Sequence, residues 1–170
     1  WNICTTWWVY HASGAGAAFA IFANSGLMAF VFLVYHCIDK TFKSDLSTLA
    51  LIPIWVSWEY FHMNWDLSWP WLTLGNVFSN DLYLIQWYEY TGHLGGSIWV
   101  LLINSFVFLG LVKLTEKKLS LLSIGIVILL STTPYLTSKY IEDNLNIETS
   151  YTKPIDVLII QPNIDPYFDK

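Results

Sequence analysis

Long apolar stretches without a single charge alternate with short polar ones along this chain, and the lengths of the apolar stretches decide what they are. Ala15 to Ile38 carries no charged residue over 24 positions, Leu94 to Val112 none over 19, and Leu119 to Leu136 none over 18. Hydrocarbon about 30 Å thick offers backbone amides no hydrogen-bond partner, so roughly 20 apolar residues in an internally bonded helix are the unit that crosses it. These three stretches therefore predict transmembrane helices. A fourth, 48–65, is uncharged only from Thr48 to Trp58 and then meets Glu59, so it predicts either a span with a carboxylate near its outer end or a buried partial span. The pattern changes after residue 136. Residues 137–154 turn polar, with Glu142, Asp143, Asn144, Asn146 and Glu148, and read as a linker or short amphipathic piece. Ile155 to Ile160 is then a β-branched run closed by Gln161-Pro162-Asn163, the pattern of a buried strand with a proline stop and of the start of another domain. The expected fold is thus an all-α set of polytopic membrane helices over 1–136, a linker over 137–154, and an opening strand within 155–170.

Composition supports a membrane class: 55% of residues are hydrophobic and 12% charged, with a mean hydropathy of +0.46. Eight Lys and no Arg stand against thirteen acids, and a net charge of −5 gives no footprint for nucleic acid. Cationic residues in short loops favour the cytoplasmic side. Lys40 and Lys43 lie between the first two spans and Lys117 and Lys118 between the last two, whereas 1–14 and 62–93 hold no Lys. The expected orientation puts residues 62–93 and 137–170 outside. Trp1, Trp7, Trp8, Trp65, Trp69, Trp71 and Trp87 all fall in the Lys-free segments, as an interfacial aromatic belt or a lipid-handling surface requires. The chain begins at Trp1 and stops at Lys170 just after a strand-like run, so a segment of something longer is expected.

Few residues carry chemistry. Glu59 is a functional candidate because an ionisable group in a span is expensive, although it could instead reach headgroup water or bond to His62 on the same helix face. Asp66 and Glu89 read as solvated loop acids, Glu89 within the dense Gln86-Trp87-Tyr88-Glu89-Tyr90 cluster. The run from Ser68 to Asn76 combines Trp69, Pro70 and Trp71 with Gly75 and suits a re-entrant, interfacial or structural belt loop. Cys4 and Cys37 are separated by a helix about 33 Å long at 1.5 Å per residue and are not expected to pair. His11, His36, His62 and His93 share no metal spacing, and there is no phosphate-binding Gly loop, serine elbow or HExxH; no metal or cofactor is expected.

The order of motifs nevertheless resembles a known family. Thr6-Trp7-Trp8, Asn24-Ser25-Gly26-Leu27-Met28, Trp58-Glu59-Tyr60, the Pro-Trp-Leu-x-x-Gly loop from Trp69 to Asn76, Tyr88-Glu89-Tyr90-Thr91-Gly92 with Gly95-Gly96-Ser97 and Asn104, and Val157 to Ile164 together resemble apolipoprotein N-acyltransferase over nearly the whole chain. The resemblance implies a bacterial inner-membrane enzyme of eight helices with a periplasmic nitrilase-like α/β domain, of which 155–170 would be the first strand. It implies acyl transfer through a Cys thioester, from a phospholipid donor to the amine of a diacylated lipoprotein. The family's catalytic Glu, Lys and Cys lie beyond that first strand, so no catalytic residue is assigned and the isolated chain is expected to be inactive. Glu59, Trp69, Pro70, Trp71, Glu89 and Tyr90 match positions around the outer mouth and are the expected substrate-binding residues, in a monomer. His62 stands where many members carry Arg. The alternatives are a non-enzymatic membrane lipid-binding or assembly module and a small transporter, which would need charges or broken helices at midplane.

Overall fold

The computed structural model describes residues 1–42, 44–115, 121–144 and Leu158. Among the described residues five α-helices follow in chain order: α1 Asn2–Thr6, α2 Gly14–Phe42, α3 Leu51–Met63, α4 Tyr88–Thr115 and α5 Leu121–Asn144, with 3-10 turns between several of them. Among the described residues three helices, α2, α4 and α5, are long and apolar enough to cross a membrane, with peak mean hydropathies of 2.1, 2.0 and 1.6. No strand occurs among the described residues. The strand expected over 155–160 lies outside them except for Leu158, which is exposed and in no regular element.

Buried side chains in this molecule are mainly polar or small. Asn2, Thr6, Asn24, Ser47, Glu59, His62, Thr73, Ser97, Ser105, Ser123 and Ser138 are buried, while Phe19, Phe22, Phe30, Leu121, Leu122 and Leu129 are exposed. That inversion follows from the solvent. Apolar side chains gain nothing by leaving hydrocarbon, so helices meet through small residues and hydrogen bonds. The apolar core is correspondingly modest: Val31 of α2, Trp55 of α3 and Leu101 of α4 meet, with Met28, Ile52 and Leu74 against them.

Segment 48–65 is not one continuous helix. A 3-10 turn over Asp45–Ala50 precedes α3, whose 13 residues reach only about 20 Å at 1.5 Å per residue. Pro53 accounts for the boundary. It has no N–H to give the carbonyl of Leu49, so the α-helix starts two residues before it, where that missing donor is one of the unbonded first four. Between α3 and α4 the chain runs through short 3-10 turns, Pro70–Leu72, Leu74–Phe78 and Leu82–Leu84, with Asn76 donating to the Pro70 carbonyl at 3.0 Å.

α4 is broken once, at Gly92 (φ 63°, ψ −175°), where glycine alone is comfortable; Tyr88 to Thr91 form a turn set off from the rest of the helix. α5 continues through Asn144, so the first eight residues of the stretch that reads as a linker are helical, and Ser138 on them is fully buried. Pro134 lies inside α5 and cannot bond the Leu130 carbonyl one turn back. The Trp99 indole of α4 donates to that freed carbonyl at 2.7 Å, which couples the two helices at the point where one of them is interrupted.

Candidate functional site

Glu59 is the centre of the polar interior. Only 4% exposed, it accepts two hydrogen bonds on Oε1, from Trp55 Nε1 one turn back at 2.9 Å and from the Leu74 backbone N–H at 2.8 Å. The first bond is local, between positions i and i+4 of α3; the second reaches across 15 residues and fastens the Pro-Trp-Leu loop to the helix. The loop is held from its other side by α4. Ser97 Oγ accepts from the Gly75 N–H at 3.0 Å and Tyr88 Oη donates to the Gly75 carbonyl at 2.9 Å. Gly75 is required by contact rather than by backbone angle: a Cβ there would enter the His93 carbonyl, and one on Gly96 would enter the Tyr88 hydroxyl.

Glu59 and His62 share a face of α3 but do not bond to each other. His62 pairs through Nε2 with Asn24 Oδ1 of α2 at 3.0 Å and stacks on Trp58 at 4.8 Å between ring centroids. Nor does Glu59 reach headgroup water, being buried. Asn24 lies ten residues, about 15 Å, into α2. Asn24 and Trp65 to Trp69 border one groove along α2, so the loop runs beside the first turns of that helix.

Two cavities separate the expected site residues. A small one, about 30 Å³, is lined by Asn2, Asn24, Met28, Trp55, Trp58, Glu59, His62, Trp69, Leu72 and Thr73. Around it Asn2 Oδ1, Glu59 Oε2, His62 Nδ1, Trp69 Nε1 and Thr73 Oγ1 are buried without a protein partner. A larger apolar groove of about 740 Å³ runs between α4 and α5, lined by Trp87, Tyr90, Leu94, Ile98, Trp99, Leu102, Leu129, Leu130 and Pro134, with Val56 of α3. Glu59 and Trp69 belong to the first and Tyr90, 76% exposed, to the second. Pro70, Trp71 and Glu89 are exposed and line neither.

Asn2, Asn24, Trp55, Thr73, Tyr88 and Ser97 are the participants that sequence reasoning missed. Trp55 was legible as the i−4 neighbour of Glu59, and Ser97 as the residue after paired glycines. Asn2 and Asn24 carry no local signal. No group of three or more His, Cys, Asp or Glu able to hold a metal occurs among the described residues, and Cys4 and Cys37 are free and exposed.

Comparison with known proteins adds what geometry alone does not. The family model of the apolipoprotein N-acyltransferase N-terminal domain matches residues 1–106. An apolipoprotein N-acyltransferase of Chlorobaculum tepidum is 32% identical over 164 residues, covering 95% of this chain and 30% of that protein. Apolipoprotein N-acyltransferase 2 of Treponema denticola is 28% identical over 155 residues, 82% of this chain and 28% of that protein. The chain thus spans less than a third of the length of either relative. No solved structure matches it.

Proposed function

The chain belongs to the apolipoprotein N-acyltransferase family, and we propose that it is the membrane part of an enzyme that moves a fatty acyl group from a phospholipid to the N-terminal amine of a diacylglyceryl-Cys lipoprotein. In this reading a Cys thiolate attacks the phospholipid ester carbonyl, forms a thioester and releases the lysophospholipid; the lipoprotein amine then attacks the thioester and restores the thiolate. The nucleophile, with its Glu base and Lys oxyanion stabiliser, belongs to a nitrilase-like domain beyond residue 170. The membrane part contributes the lipid path.

The observation that carries the reading is the apolar groove between α4 and α5. At about 740 Å³, with aromatic Trp87 and Tyr90 along it and no buried charge lining it, it suits an acyl chain whose ester emerges beside the 88–91 turn. Glu59 and Trp69 set the loop that carries Pro70 and Trp71, and those two with Glu89 and Tyr90 shape the lipid entry. The protein sits as a monomer in the bacterial inner membrane, with residues 62–93 and 137–170 on the periplasmic side.

The purified 170-residue chain should transfer no acyl group to a diacylated lipopeptide presented with phospholipid, followed by mass spectrometry of the peptide; transfer by this chain alone refutes the placement of the catalytic groups. For the orientation, an impermeant maleimide applied to intact cells should label Ser79→Cys and spare Ser44→Cys, each as the single cysteine of a chain in which Cys4 and Cys37 are replaced by Ser, and the opposite pattern inverts it.

A further inference from the structure

The groove along the first turns of α2 carries two donors that no protein atom accepts. The indole Nε1 atoms of Trp65 and Trp69 are buried and unpartnered, and both side chains line this groove of about 340 Å³. An indole N–H can only donate, so each calls for an acceptor from outside the chain; left without one when buried, it costs about 1–3 kcal/mol. The floor is α2 itself. Gly16, Ala20 and Ala23, at positions i, i+4 and i+7, put small residues along one helix face, and Leu27 continues the line. From Gly16 to Leu27 the helix rises about 16 Å, long enough to bed most of an alkyl chain.

We propose that this groove seats a membrane phospholipid by its fatty-acid esters, the ester carbonyl oxygens accepting from Trp65 and Trp69 and one chain lying along Gly16, Ala20 and Ala23. An ester carbonyl accepts and cannot donate, which is what two donors without acceptors require. It is also uncharged. No Lys lines the groove and Asp66 stands exposed at it, so a phosphate or carboxylate at the indoles would meet repulsion where a carbonyl meets none. Water is a poorer occupant. The volume is roughly eleven times the about 30 Å³ that one water takes in the liquid, and a floor of Gly and Ala gives it no partner. Asn24 and His62, also on the groove, are bonded to each other. Depth agrees: the loop lies beside the first turns of a helix long and apolar enough to cross a membrane, which sets the indoles near one boundary of the hydrocarbon, the level of glycerol esters. This groove shares no lining residue with the one between α4 and α5, and it is read by binding rather than turnover, so the site stands without the acyltransferase reading.

A matched pair of ester and ether lipids isolates the carbonyl. The protein is reconstituted in nanodiscs holding equal amounts of dipalmitoyl phosphatidylcholine and its dihexadecyl ether analogue, then re-extracted in detergent, and retained lipid is counted by mass spectrometry. Headgroup and chain length are the same in both. Two hydrogen bonds from desolvated donors predict about a tenfold enrichment of the ester lipid. Trp65→Phe and Trp69→Phe each remove one N–H and strand no protein acceptor, so each should cut the enrichment to about threefold, and the double variant should retain both lipids equally. Trp1→Phe, at an exposed ring elsewhere, should leave the enrichment whole. Ala20→Phe fills the floor and should abolish the enrichment with both indoles in place, which keeps the test decisive if an indole variant does not fold. Equal retention of ester and ether lipid by the unmodified protein overturns the proposal and leaves a hydrated groove. Enrichment that survives the double variant or Ala20→Phe overturns it too, as does an equal fall in Trp1→Phe, which would mark ordinary interfacial solvation.

Discussion

The α3 side of the molecule and the α4–α5 seam solve the same problem with different chemistry. Around α3 the inner part of an irregular loop, at Thr73 and Gly75, is buried against the helices, and side chains supply what its backbone lacks: Glu59 for Leu74, Ser97 and Tyr88 for Gly75. Along the α4–α5 seam the chain is helical apart from the break of α4 at Gly92, and the interruption of α5 at Pro134 is met by one indole. Non-helical backbone in a membrane protein is tolerated where protein partners replace the missing bonds. The α3 region is therefore rich in long-range polar contacts and intolerant of change, and the seam is apolar, adaptable and suited to a guest.

The sharpest test of that contrast is steric. Gly75→Ala or Gly96→Ala forces a Cβ into the His93 carbonyl or the Tyr88 hydroxyl, and displacing packed backbone should cost about 3 kcal/mol or more. The folded yield should collapse, and the residual protein should unfold at much lower dodecyl sulfate by circular dichroism. Gly26→Ala and Gly125→Ala, where a Cβ meets nothing within 4 Å, should be neutral or slightly stabilising in the same assay. Equal effects at all four glycines would erase the distinction between the loop knot and the open helix faces.

Next in size is Glu59→Ala. It strands the Trp55 indole and the Leu74 N–H in a buried site, a loss of roughly 3 kcal/mol for two charge-assisted bonds. Glu59→Gln, which retains an acceptor, should lose less than half as much. If the two variants unfold alike, Glu59 does not act by anchoring the loop.

How much of this was written in the sequence depends on whether the signal was local. The helices α2, α4 and α5 followed from uncharged runs, because hydrocarbon imposes a length and forbids charge. Their ends did not: Ile38 and Leu136 mark where the apolar pattern stops, but the backbone hydrogen bonds continue to Phe42 and Asn144. Segment 48–65 was read by hydropathy alone, and Pro53, visible in the sequence, set the α-helix start that hydropathy cannot see. Glu59 stood out because a carboxylate is costly there, whereas its partnership with Leu74, and that of His62 with Asn24, depend on how distant segments pack. The tryptophan-rich segment was legible as a group, yet Trp69 turns inward while Trp71, two residues on, is 66% exposed.

The smallest predicted effect probes the seam and is the most specific. Trp99→Phe removes the donor that serves the Leu130 carbonyl and nearly preserves the ring that packs on Phe78 at 4.8 Å and on Trp87 at 6.1 Å. Interhelical hydrogen bonds in membranes contribute about 0.6 kcal/mol on average and up to about 1.7, and a freed carbonyl has few other donors in hydrocarbon, so a loss near 1 kcal/mol is expected. The origin of the effect can be isolated. Pro134→Ala restores an N–H to position 134, which then bonds Leu130 within α5 and makes the indole redundant. In that background Trp99→Phe should cost almost nothing, and the difference between the two measurements is the coupling between the helices. A Trp99→Phe penalty that is the same with and without Pro134 would mean that the indole contributes by packing, and that the seam tolerates its proline by some other route.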